Sequence, residues 1–354
     1  MLALKDNNPK ANQQYDYDFL VFIGRFQPFH KGHEHVISVA LRKARHVIVL
    51  IGSSKCARSL RNPFTWQERA SMIKGAFDVQ DYDRLHLTPL LDLPYAEDTW
   101  AQNVKHSAQG IVCQYQVNRT PKIGLIGHSK DESSYYLNMF PQWESENVSK
   151  TVEIDATDVR DPYLASGNVK NAELLPDSTI EFLKVFNAGE AFAALQEEFK
   201  VVEAYKQEWA AAPYAPIFVT VDNLLVHNGH ILLVQRKYAP GKGLWALPGG
   251  FLDPHETLQS AAIRELKEET CILVPEDVLE KSIIAHRTFD DPYRSTRGRT
   301  ITTAFHIDVS DYEGQRPIVH AADDAANLKW IAVQDINPEE MFEDHYSIIR
   351  EMLN

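Results

Sequence analysis

The sequence has little cysteine, no excess of basic residues and no long apolar run. Its three cysteines, Cys56, Cys113 and Cys271, form no CxxC pair, which argues against a disulfide framework or a cysteine zinc site. Lysine and arginine number 36 against 49 aspartate and glutamate, a net charge of −13. This balance argues against broad nucleic-acid binding, which depends on basic surface. No apolar run approaches the roughly 18 residues of a membrane span.

These absences also bear on where the protein works. Scattered cysteines and an N-terminus without the apolar core of a signal peptide predict a protein of the reducing cytoplasm. Residues 1–16 are expected to form a disordered tail. The composition, 44% hydrophobic and 24% charged, is that of a folded protein, and 354 residues predict two domains. None of these features determines the oligomeric state, so a homo-oligomer remains open.

The first half of the chain has the pattern of a doubly wound α/β domain. Short apolar runs at residues 19–23 and 46–51 end at glycines and have the length of buried parallel strands. Apolar positions between them recur with helical spacing, which completes a βαβ unit. Further apolar runs at residues 122–127 and 151–154 continue the pattern. We therefore predict one parallel-sheet domain over residues 17–186.

The second half begins after a helical stretch. Residues 177–210 are helical by composition, with one glycine as a break, and prolines follow. Residues 187–213 are thus predicted to be a helical linker. Two strand-like runs then flank Asn228 and Gly229, a pair suited to the positive φ angles of a type I′ hairpin. A second domain that opens with antiparallel strands is expected over residues 214–354.

The loop after the first predicted strand carries two histidines at the start of a helix. It reads GRFQPFHKGH from Gly24 to His33, and we expect the helix to begin at or just after His33. Free N–H groups at a helix start favour anions, and His30, His33 and Arg25 converge there. Gly24 and Gly32 allow the backbone to approach a ligand closely. The pattern indicates a phosphate site, with surface loop residues or metal ligands as the alternatives.

This loop resembles the HxGH signature of the nucleotidyltransferase superfamily of adenylyl and cytidylyl transferases. Residues 62–69, NPFTWQER, resemble a segment of archaeal-type nicotinamide mononucleotide (NMN) adenylyltransferases, and residues 127–136 are similar to a segment of the bacterial members. Thr157 to Arg160 lies where the superfamily has its second motif. The resemblance implies a domain in which ATP transfers its adenylyl group to NMN, giving NAD and pyrophosphate.

The same resemblance assigns residues to the reaction. His30, His33 and Arg160 are expected to hold the ATP phosphates during in-line attack, which needs positioning and charge stabilisation and no nucleophilic side chain. Magnesium is expected to offset the remaining charge. For Trp100, which is expected to bind substrate, the alternative is a core residue without a binding role. The residues expected to bind ATP or NMN are Gly24, Arg25, Ser53, Asn62, Arg69, Trp100, Lys130, Asp131 and Thr157.

A second pattern places acidic residues on one helix. In residues 250–272, GFLDPHETLQSAAIRELKEETCI, Glu265 and Glu269 fall within roughly 40° of Leu258 and Ala262 at about 100° per residue. Carboxylates on the apolar side face the domain, where like charges four residues apart are unfavourable unless a cation compensates. The geometry favours a divalent metal with oxygen ligands, magnesium or manganese, over a solvated helical face.

This segment matches the box of Nudix hydrolases, GX5EX7REUXEEXGU, from Gly250 onward. The resemblance implies metal-assisted attack of water on a diphosphate linked to a nucleoside. It assigns Glu268 and Glu269 to catalysis and implies that Glu256 and Arg264 form a structural pair. The implied ligands of Mg²⁺, or of Mn²⁺ in its place, are Gly249, Glu265, Glu268 and Glu269.

One position departs from the Nudix box. Cys271 stands where the box has glycine, at the end of the helix, where a left-handed conformation is common. We expect a local cost of roughly 1 kcal/mol from that replacement. The catalytic base stays open between Glu268, Glu313, Asp323 and Asp324.

Four arginines follow the box, at Arg287, Arg294, Arg297 and Arg299. The Arg-Gly-Arg sequence within them is similar to that of Nudix domains acting on or sensing ADP-ribose. Of the four, Arg287, Arg297 and Arg299 are predicted to bind the diphosphate, since guanidinium groups pair with phosphates in a bidentate manner. Salt bridges to the acidic surface are the alternative.

In this order, the two resemblances are those of the bifunctional NMN adenylyltransferase/Nudix hydrolase proteins of bacteria. The expected fold class is α/β: a doubly wound parallel-sheet nucleotidyltransferase domain followed by an α/β/α Nudix domain with a mixed sheet. The expected partners are ATP, NMN and ADP-ribose, the last cleaved to AMP and ribose 5-phosphate. One alternative makes the Nudix domain a non-catalytic sensor of ADP-ribose. Another gives the first domain pantetheine phosphate as its acceptor.

Overall fold

The computed structural model describes residues 14–115, 119–127, 139–150, 152–312, 315–322 and 325–354. Contacts within the chain divide it into two compact units. The first unit comprises residues 1–55 and 62–194, and the second comprises residues 56–61 and 195–354. Each unit has a sheet of its own.

The first unit is built on a five-stranded parallel sheet. Its strands are β1 (Tyr17–Gly24), β2 (Ala44–Ile51), β3 (Leu85–Pro89), β4 (Ile123–Gly127) and β5 (Glu144–Asn147). They lie in the order β3-β2-β1-β4-β5, and every neighbouring pair is parallel. Strands β1 and β2 are buried along almost their whole length, which is why they are continuous apolar runs.

Helices connect these strands and follow them. They are α1 (Lys31–Lys43), α2 (Trp66–Gly75), α3 (Glu97–Val112), α4 (Ala156–Ser166), α5 (Asp177–Phe186) and α6 (Glu190–Glu208). Helix α2 begins at a capping box, in which the Glu68 N–H donates to Thr65 Oγ1 and the Thr65 N–H donates to the Glu68 carboxylate at 2.8 Å. This pair of bonds fixes the direction of α2.

The second unit is built on a seven-stranded mixed sheet. Its strands are β6 (Ile217–His227), β7 (His230–Arg236), β8 (Trp245–Ala246), β9 (Gly249–Phe251), β10 (Ile283–Phe289), β11 (Arg299–Asp308) and β12 (Ala325–Ala332). The main order is β10-β11-β6-β7-β12, with β8 on β7 and β9 on β6. Strands β11 and β6 pair in parallel, while the other pairs are antiparallel.

Three helices belong to the second unit: α7 (Leu258–Thr270), α8 (Glu276–Lys281) and α9 (His345–Leu353). Helix α7 starts at Thr257, whose hydroxyl accepts the N–H of Ser260. Its apolar face, which includes Ala262 and Leu266, packs with residues of β6, β7 and β11 in one buried cluster. Because that face is fixed against the sheet, the acidic residues beside it are carried to the sheet as well.

The structure confirms the predicted fold class, a parallel sheet followed by a mixed one. The predicted hairpin is also present, with φ values of 47° at Asn228 and 72° at Gly229. Two details differ. Helix α1 begins at Lys31, before His33, and β5 precedes the apolar run at residues 151–154. In that run Ile154 is buried beside Gly32 and packs there instead of forming the strand.

The predicted helical linker contains α6, and the division between the two units falls within that helix. The boundaries at residues 186 and 214 stay predictions. Of the predicted tail, residues 1–13 lie outside the described residues. No helix in the described part of the chain is both long and apolar enough to cross a membrane.

Two candidate active sites

The two histidines lie at the start of α1, beyond the carboxyl end of β1. His30 is the N-cap residue, and its ring stacks on the ring of His33 with 3.6 Å between the centroids. The His30 N–H donates to Nδ1 of His33 at 3.4 Å. His30 is buried, at 6% exposure. The pair therefore occupies the edge where parallel sheets bind ligands, next to the N–H groups of a helix start.

A glycine makes this stack possible. A Cβ atom at Gly32 would lie 3.0 Å from Cε1 and 3.1 Å from Nδ1 of His30. Any larger residue would push the ring of His30 away from the first turn of α1. The other predicted glycine, Gly24, closes β1, where a Cβ atom would lie 2.8 Å from the ring of Phe26.

Arg160 lies on α4 and is largely buried. Its Nη2 donates to Thr157 Oγ1 at 3.2 Å, and its Nε donates to Asp161 at 3.1 Å. Burial lowers the pKa of Arg160, Asp161 opposes that effect, and the positive charge of Arg25 adds to it. The structure thus brings Arg25, Thr157 and Arg160 together. Two neighbouring guanidinium groups repel each other, and an anion between them would relieve that repulsion.

The turn after β2 lies beside the turn after β1. The Gly52 N–H donates to the carbonyl oxygen of Gly24 at 2.8 Å. Ser53 has a φ of 46°, and its hydroxyl donates to Asp92 at 2.5 Å. Ser53 is therefore held at the same edge of the sheet as the histidines, with its hydroxyl already bonded to a carboxylate.

Arg69 differs from its predicted role as a residue that contacts substrate. It is fully buried, at 0% exposure, and its guanidinium donates to backbone carbonyl groups of the turns after β1 and β2. Asn62 is partly buried at the start of the NPFT segment. Trp100, half-buried on α3, packs on the core with its ring 6.3 Å from that of Phe140, so the structure gives it the core contacts of the alternative interpretation. Lys130 and Asp131 lie outside the described residues.

The second site is formed by α7 and by the short strand β9. Arg264 donates to both oxygens of Glu256, at 3.0 Å and 2.6 Å, so the predicted structural pair is present. The same guanidinium donates to Glu265 at 2.8 Å and to Glu268 at 2.9 Å. One arginine thereby holds three of the acidic residues of the box. It also donates to the carbonyl oxygen of Phe251 at 3.1 Å, which ties α7 to β9.

Two carboxylates of α7 lie against the domain, as the helical projection predicted. Burial raises the pKa of Glu265, although bonds from Arg264 oppose this. Burial also raises the pKa of Glu269 to about 8, and the Gly249 N–H, which donates to Glu269 at 3.0 Å, opposes the rise. A raised pKa shows that negative charge is unfavourable there unless a cation compensates. Glu268 is exposed by comparison, at 49% of its side chain.

The backbone of β9 also approaches these carboxylates closely. A Cβ atom at Gly250 would lie 2.5 Å from the carboxyl group of Glu265, and one at Gly249 would lie 2.1 Å from the carbonyl oxygen of Val221. Glycine is therefore required at Gly249, which faces backbone, while a larger residue at Gly250 would displace the Glu265 carboxylate. The backbone of Gly249 and Gly250 therefore packs directly beside the Glu265 carboxylate.

The donor set fits a divalent metal ion in its chemistry. It consists of the carboxylates of Glu265, Glu268 and Glu269 with the carbonyl oxygen of Gly249, and hard cations take such all-oxygen sets. In the described residues no three His, Cys, Asp or Glu side chains are gathered as a metal site. The carboxylates of Glu265 and Glu268 share Arg264 instead. Coordination would require them to turn from that guanidinium.

A cavity of about 320 Å³ lies over these carboxylates. Its wall includes Glu265, Glu268, Glu269 and, of the predicted arginines, Arg297. The structure does not bring Arg287 and Arg299 to this wall. Arg287 donates to Glu351 at 2.8 Å, and Arg299 donates to the carbonyl groups of residues 290 and 291. Arg287 thus has a salt bridge of the kind the alternative described, and Arg299 lies 3.9 Å from the Asp290 carboxylate.

Two family models match the chain. The model described as NUDIX domain matches residues 216–352, and the one described as Cytidylyltransferase-like matches residues 21–92. A solved structure matches almost the whole chain: the bifunctional NMN adenylyltransferase/ADP ribose pyrophosphatase of Francisella tularensis, complexed with AMP and a manganese ion. It is 37% identical, with 95% of this chain and 98% of that chain covered and a TM-score of 0.88. The chain belongs to this bifunctional family.

Curated relatives match each half separately. The nicotinamide/nicotinic acid mononucleotide adenylyltransferase of Acinetobacter baylyi is 38% identical over 191 residues, which are 54% of this chain and 97% of that protein. The ADP-ribose pyrophosphatase of Methanocaldococcus jannaschii is 36% identical over 135 residues, which are 38% of this chain and 72% of that protein. This member of the bifunctional family thus combines two enzymes that also occur separately.

Sequence reasoning missed the far wall of the second cavity in this family member. That wall includes Asp222 on β6, whose carboxylate accepts the Thr302 hydroxyl at 2.6 Å, and His345 at the start of α9, whose Nδ1 accepts the Leu247 N–H at 3.0 Å. Glu343, with a φ of 42°, lies there as well. No local motif marks these residues, since only the folded sheet brings them to α7. The base candidates Glu313, Asp323 and Asp324 lie outside the described residues.

Proposed function

We propose that this chain makes NAD and pyrophosphate from NMN and ATP at the first site and hydrolyses ADP-ribose to AMP and ribose 5-phosphate at the second. One observation carries the proposal. The same chain has a stacked imidazole pair at a helix start, 3.6 Å between centroids, and a helix whose buried carboxylates line a separate cavity. The first arrangement suits a triphosphate held by protein groups with magnesium offsetting the remaining charge, and the second suits a diphosphate held through a carboxylate-bound cation.

At the first site, the side chains supply position and positive charge. His30 and His33, with the N–H groups of α1, are suited to hold the triphosphate of ATP, and Arg25 and Arg160 add guanidinium donors. The phosphate of NMN attacks the α-phosphorus in line, and the bond to pyrophosphate breaks. No protein nucleophile is needed, because charge stabilisation and orientation account for such a transfer.

At the second site, Glu265, Glu268, Glu269 and the carbonyl group of Gly249 would hold the metal. A divalent ion bound there supplies charge that polarises the diphosphate and water. Arg264 ties Glu256 to α7, and Glu265 and Glu268 would turn from its guanidinium to hold the metal. Arg297, on the cavity wall, is suited to contact the diphosphate.

Four finer assignments belong to the same proposal. We assign Mg²⁺ as the working metal, with Mn²⁺ able to replace it, because both prefer oxygen ligands. We assign the reactions to residues 17–186 and 214–354. We place the protein in the cytoplasm, which its three free cysteines favour. A homo-oligomer is compatible with all of this, and light scattering of the purified protein would test it.

The decisive experiment is product analysis of the purified full chain with magnesium. The protein is given NMN with ATP, and separately ADP-ribose. His33→Ala is expected to lower NAD formation by roughly a hundredfold, as the loss of one stabilising group does, and to leave ADP-ribose hydrolysis intact. Glu269→Gln should show the reverse. Each variant is thus the other's control for folding.

The outcomes separate the alternatives. Absence of NAD from the unmutated protein would overturn the first assignment, and formation of dephospho-coenzyme A from pantetheine phosphate would support that acceptor instead. If ADP-ribose binds without turnover, and Glu269→Gln leaves its affinity unchanged, the second domain is a sensor. Loss of both reactions in either single variant would contradict the separation of the two sites.

A further inference from the structure

Arg69 is the largest side chain that is fully buried in the described residues, and it donates four bonds to backbone carbonyl groups. Its Nη1 donates to the carbonyl oxygens of Arg25 at 2.5 Å and of Gly52 at 2.6 Å. Its Nη2 donates to Ser53 at 2.9 Å, and its Nε donates to Thr65 at 3.2 Å. A guanidinium has five N–H donors in one plane, so it can hold several carbonyl groups in a fixed arrangement.

These carbonyl groups have a common location. Arg25 follows directly after β1, and Gly52 and Ser53 follow directly after β2, which is the neighbour of β1 in the sheet. The two turns also bond to each other, through the Gly52 N–H and the carbonyl group of Gly24. The guanidinium of Arg69 therefore lies under the edge of the sheet at which the histidine pair is placed.

Holding a carbonyl group also fixes the next N–H group. A trans peptide unit is planar, with its C=O and N–H pointing in opposite directions. The bonds to Arg25 and Gly52 thus direct the N–H groups of Phe26 and Ser53 away from Arg69. Both Phe26 and Ser53 have positive φ values, 54° and 46°, conformations that non-glycine residues adopt only when their surroundings hold them there.

We propose that Arg69 is a positioning residue for adenylyl transfer: it holds the turns after β1 and β2 in the conformation that presents Arg25 and Ser53 to the triphosphate, without touching substrate itself. The inference rests on the proposed function of the first site. A misplacement of about 1 Å at a phosphoryl-transfer site costs on the order of a hundredfold in rate. In addition, the buried positive charge of Arg69 would stabilise the negative charge of a triphosphate at this edge of the sheet.

The same unit offers a matched control in Arg84, a second buried arginine. Arg84, 6% exposed, donates to the carbonyl oxygens of Leu41 at 2.6 Å, Ala44 at 2.8 Å and Arg45 at 3.0 Å. Leu41 lies in the last turn of α1, and Ala44 and Arg45 lie at the amino end of β2, whereas Arg69 binds the turn at the carboxyl end of β2. Arg84 also donates to Asp81 at 3.0 Å, so its substitution removes at least as many bonds as that of Arg69, but away from the edge of the sheet where the histidine pair lies.

The test compares Arg69→Lys and Arg69→Gln with Arg84→Lys and Arg84→Gln in the full chain. The kcat of NAD formation and the KM values of ATP and NMN are measured well below each variant's Tm, with ADP-ribose hydrolysis as an internal control. We expect Arg69→Lys to lower kcat at least tenfold and Arg69→Gln to lower it further. The Arg84 variants, at an equal loss of Tm, should stay within about twofold of the unmutated protein, since their losses concern stability alone.

Three results would overturn the inference. These are an unchanged kcat in Arg69→Lys, an equal loss of kcat in Arg84 variants of matched Tm, and a change confined to the KM of ATP, which would indicate a ground-state contact. If Arg69→Gln fails to fold, Arg69→Lys still decides the question. Failure of the proposed function itself is distinguishable, because the unmutated protein would then form no NAD.

Discussion

In the first unit the groups that face the phosphate edge are imidazoles and guanidiniums, while in the second unit the corresponding place is taken by carboxylates. The first site has the imidazole rings of His30 and His33 and the guanidinium group of Arg160, which is permanently charged. Glu265 and Glu269 are carboxyl groups that pack against the second domain, and burial raises the pKa of each. We therefore predict two ways of binding phosphate in one chain, with cationic groups of the protein itself or with a metal ion that carboxylates must first bind.

The largest effect should come from removing metal ions. Without substrate, the second site is expected to bind one Mn²⁺, measured by electron paramagnetic resonance of the purified protein, while the imidazole pair needs no metal. Glu265→Gln should weaken this binding at least tenfold, and His33→Ala should leave it unchanged. Metal-free protein should hydrolyse ADP-ribose about a thousandfold more slowly or worse, since the metal supplies several kcal/mol. Equal Mn²⁺ binding by Glu265→Gln and His33→Ala would contradict the assignment of the metal to the second site.

A second effect should separate the sites by sterics alone. In Gly250→Ala the new Cβ atom would lie 2.5 Å from the Glu265 carboxyl group, which is held by Arg264. We expect ADP-ribose hydrolysis to fall roughly tenfold to a hundredfold, because the carboxylate must shift, while NAD formation stays constant. The control is Gly110→Ala on α3, where a Cβ atom meets nothing within 4 Å. Unchanged hydrolysis in Gly250→Ala would show that the Glu265 position is not critical.

The sequence predicted the parts of both sites that follow from local pattern. Strand runs closed by glycines, the histidines at a helix start, and the orientation of Glu265 and Glu269 all depend on spacing along one element. The structure has each of these features. The pairing of Glu256 with Arg264 was also predicted from the sequence, through the resemblance to the Nudix box.

Contacts between distant segments were not predictable in that way. Arg69 belongs to a motif that suggested contact with substrate, yet four carbonyl groups from three separate segments surround its guanidinium. Arg287 was grouped with Arg297 by proximity in sequence, but it lies on β10 and pairs with Glu351 of the last helix. Asp222 and His345 reach the second cavity only through sheet pairing and helix packing.

A third, smaller effect concerns stability at acidic pH, since each unit contains a buried histidine whose pKa is lowered. Burial lowers the pKa of His46 in the first unit to about 3, aided by the nearby charges of His86 and Arg84. Burial also lowers the pKa of His345 in the second unit to about 3. A histidine with a lowered pKa is neutral in the folded state, so its stabilising effect is complete above pH about 6.5 and decreases as the pH falls toward 3.

We therefore expect the free energy of unfolding to decrease below pH 6.5 by up to about 1.4 kcal/mol per pH unit for each of these histidines. His46→Gln should flatten this dependence in the first unit, followed by hydrogen exchange of β1 and β2, and leave the second unit as it was. His106→Gln, at an exposed position on α3, is the control. An identical acid profile in His46→Gln would show that His46 is not the titrating group.

The smallest effect compares two cysteines that end helices, one in each unit. Cys271 ends α7 with a φ of 44°, in the left-handed region that glycine adopts without strain, and Cys113 ends α3 with a φ of −64°. Cys271→Gly should raise stability by about 0.5–1 kcal/mol, which corresponds to roughly 1–4 °C in Tm. Cys113→Gly should lower stability, because glycine gains nothing from a right-handed conformation and makes the unfolded chain more flexible. Both cysteines are exposed, so loss of packing is small in either case. Differential scanning calorimetry of the two variants distinguishes the explanations: opposite shifts in Tm show that backbone conformation decides, whereas equal shifts would mean that the cysteine side chains themselves are responsible.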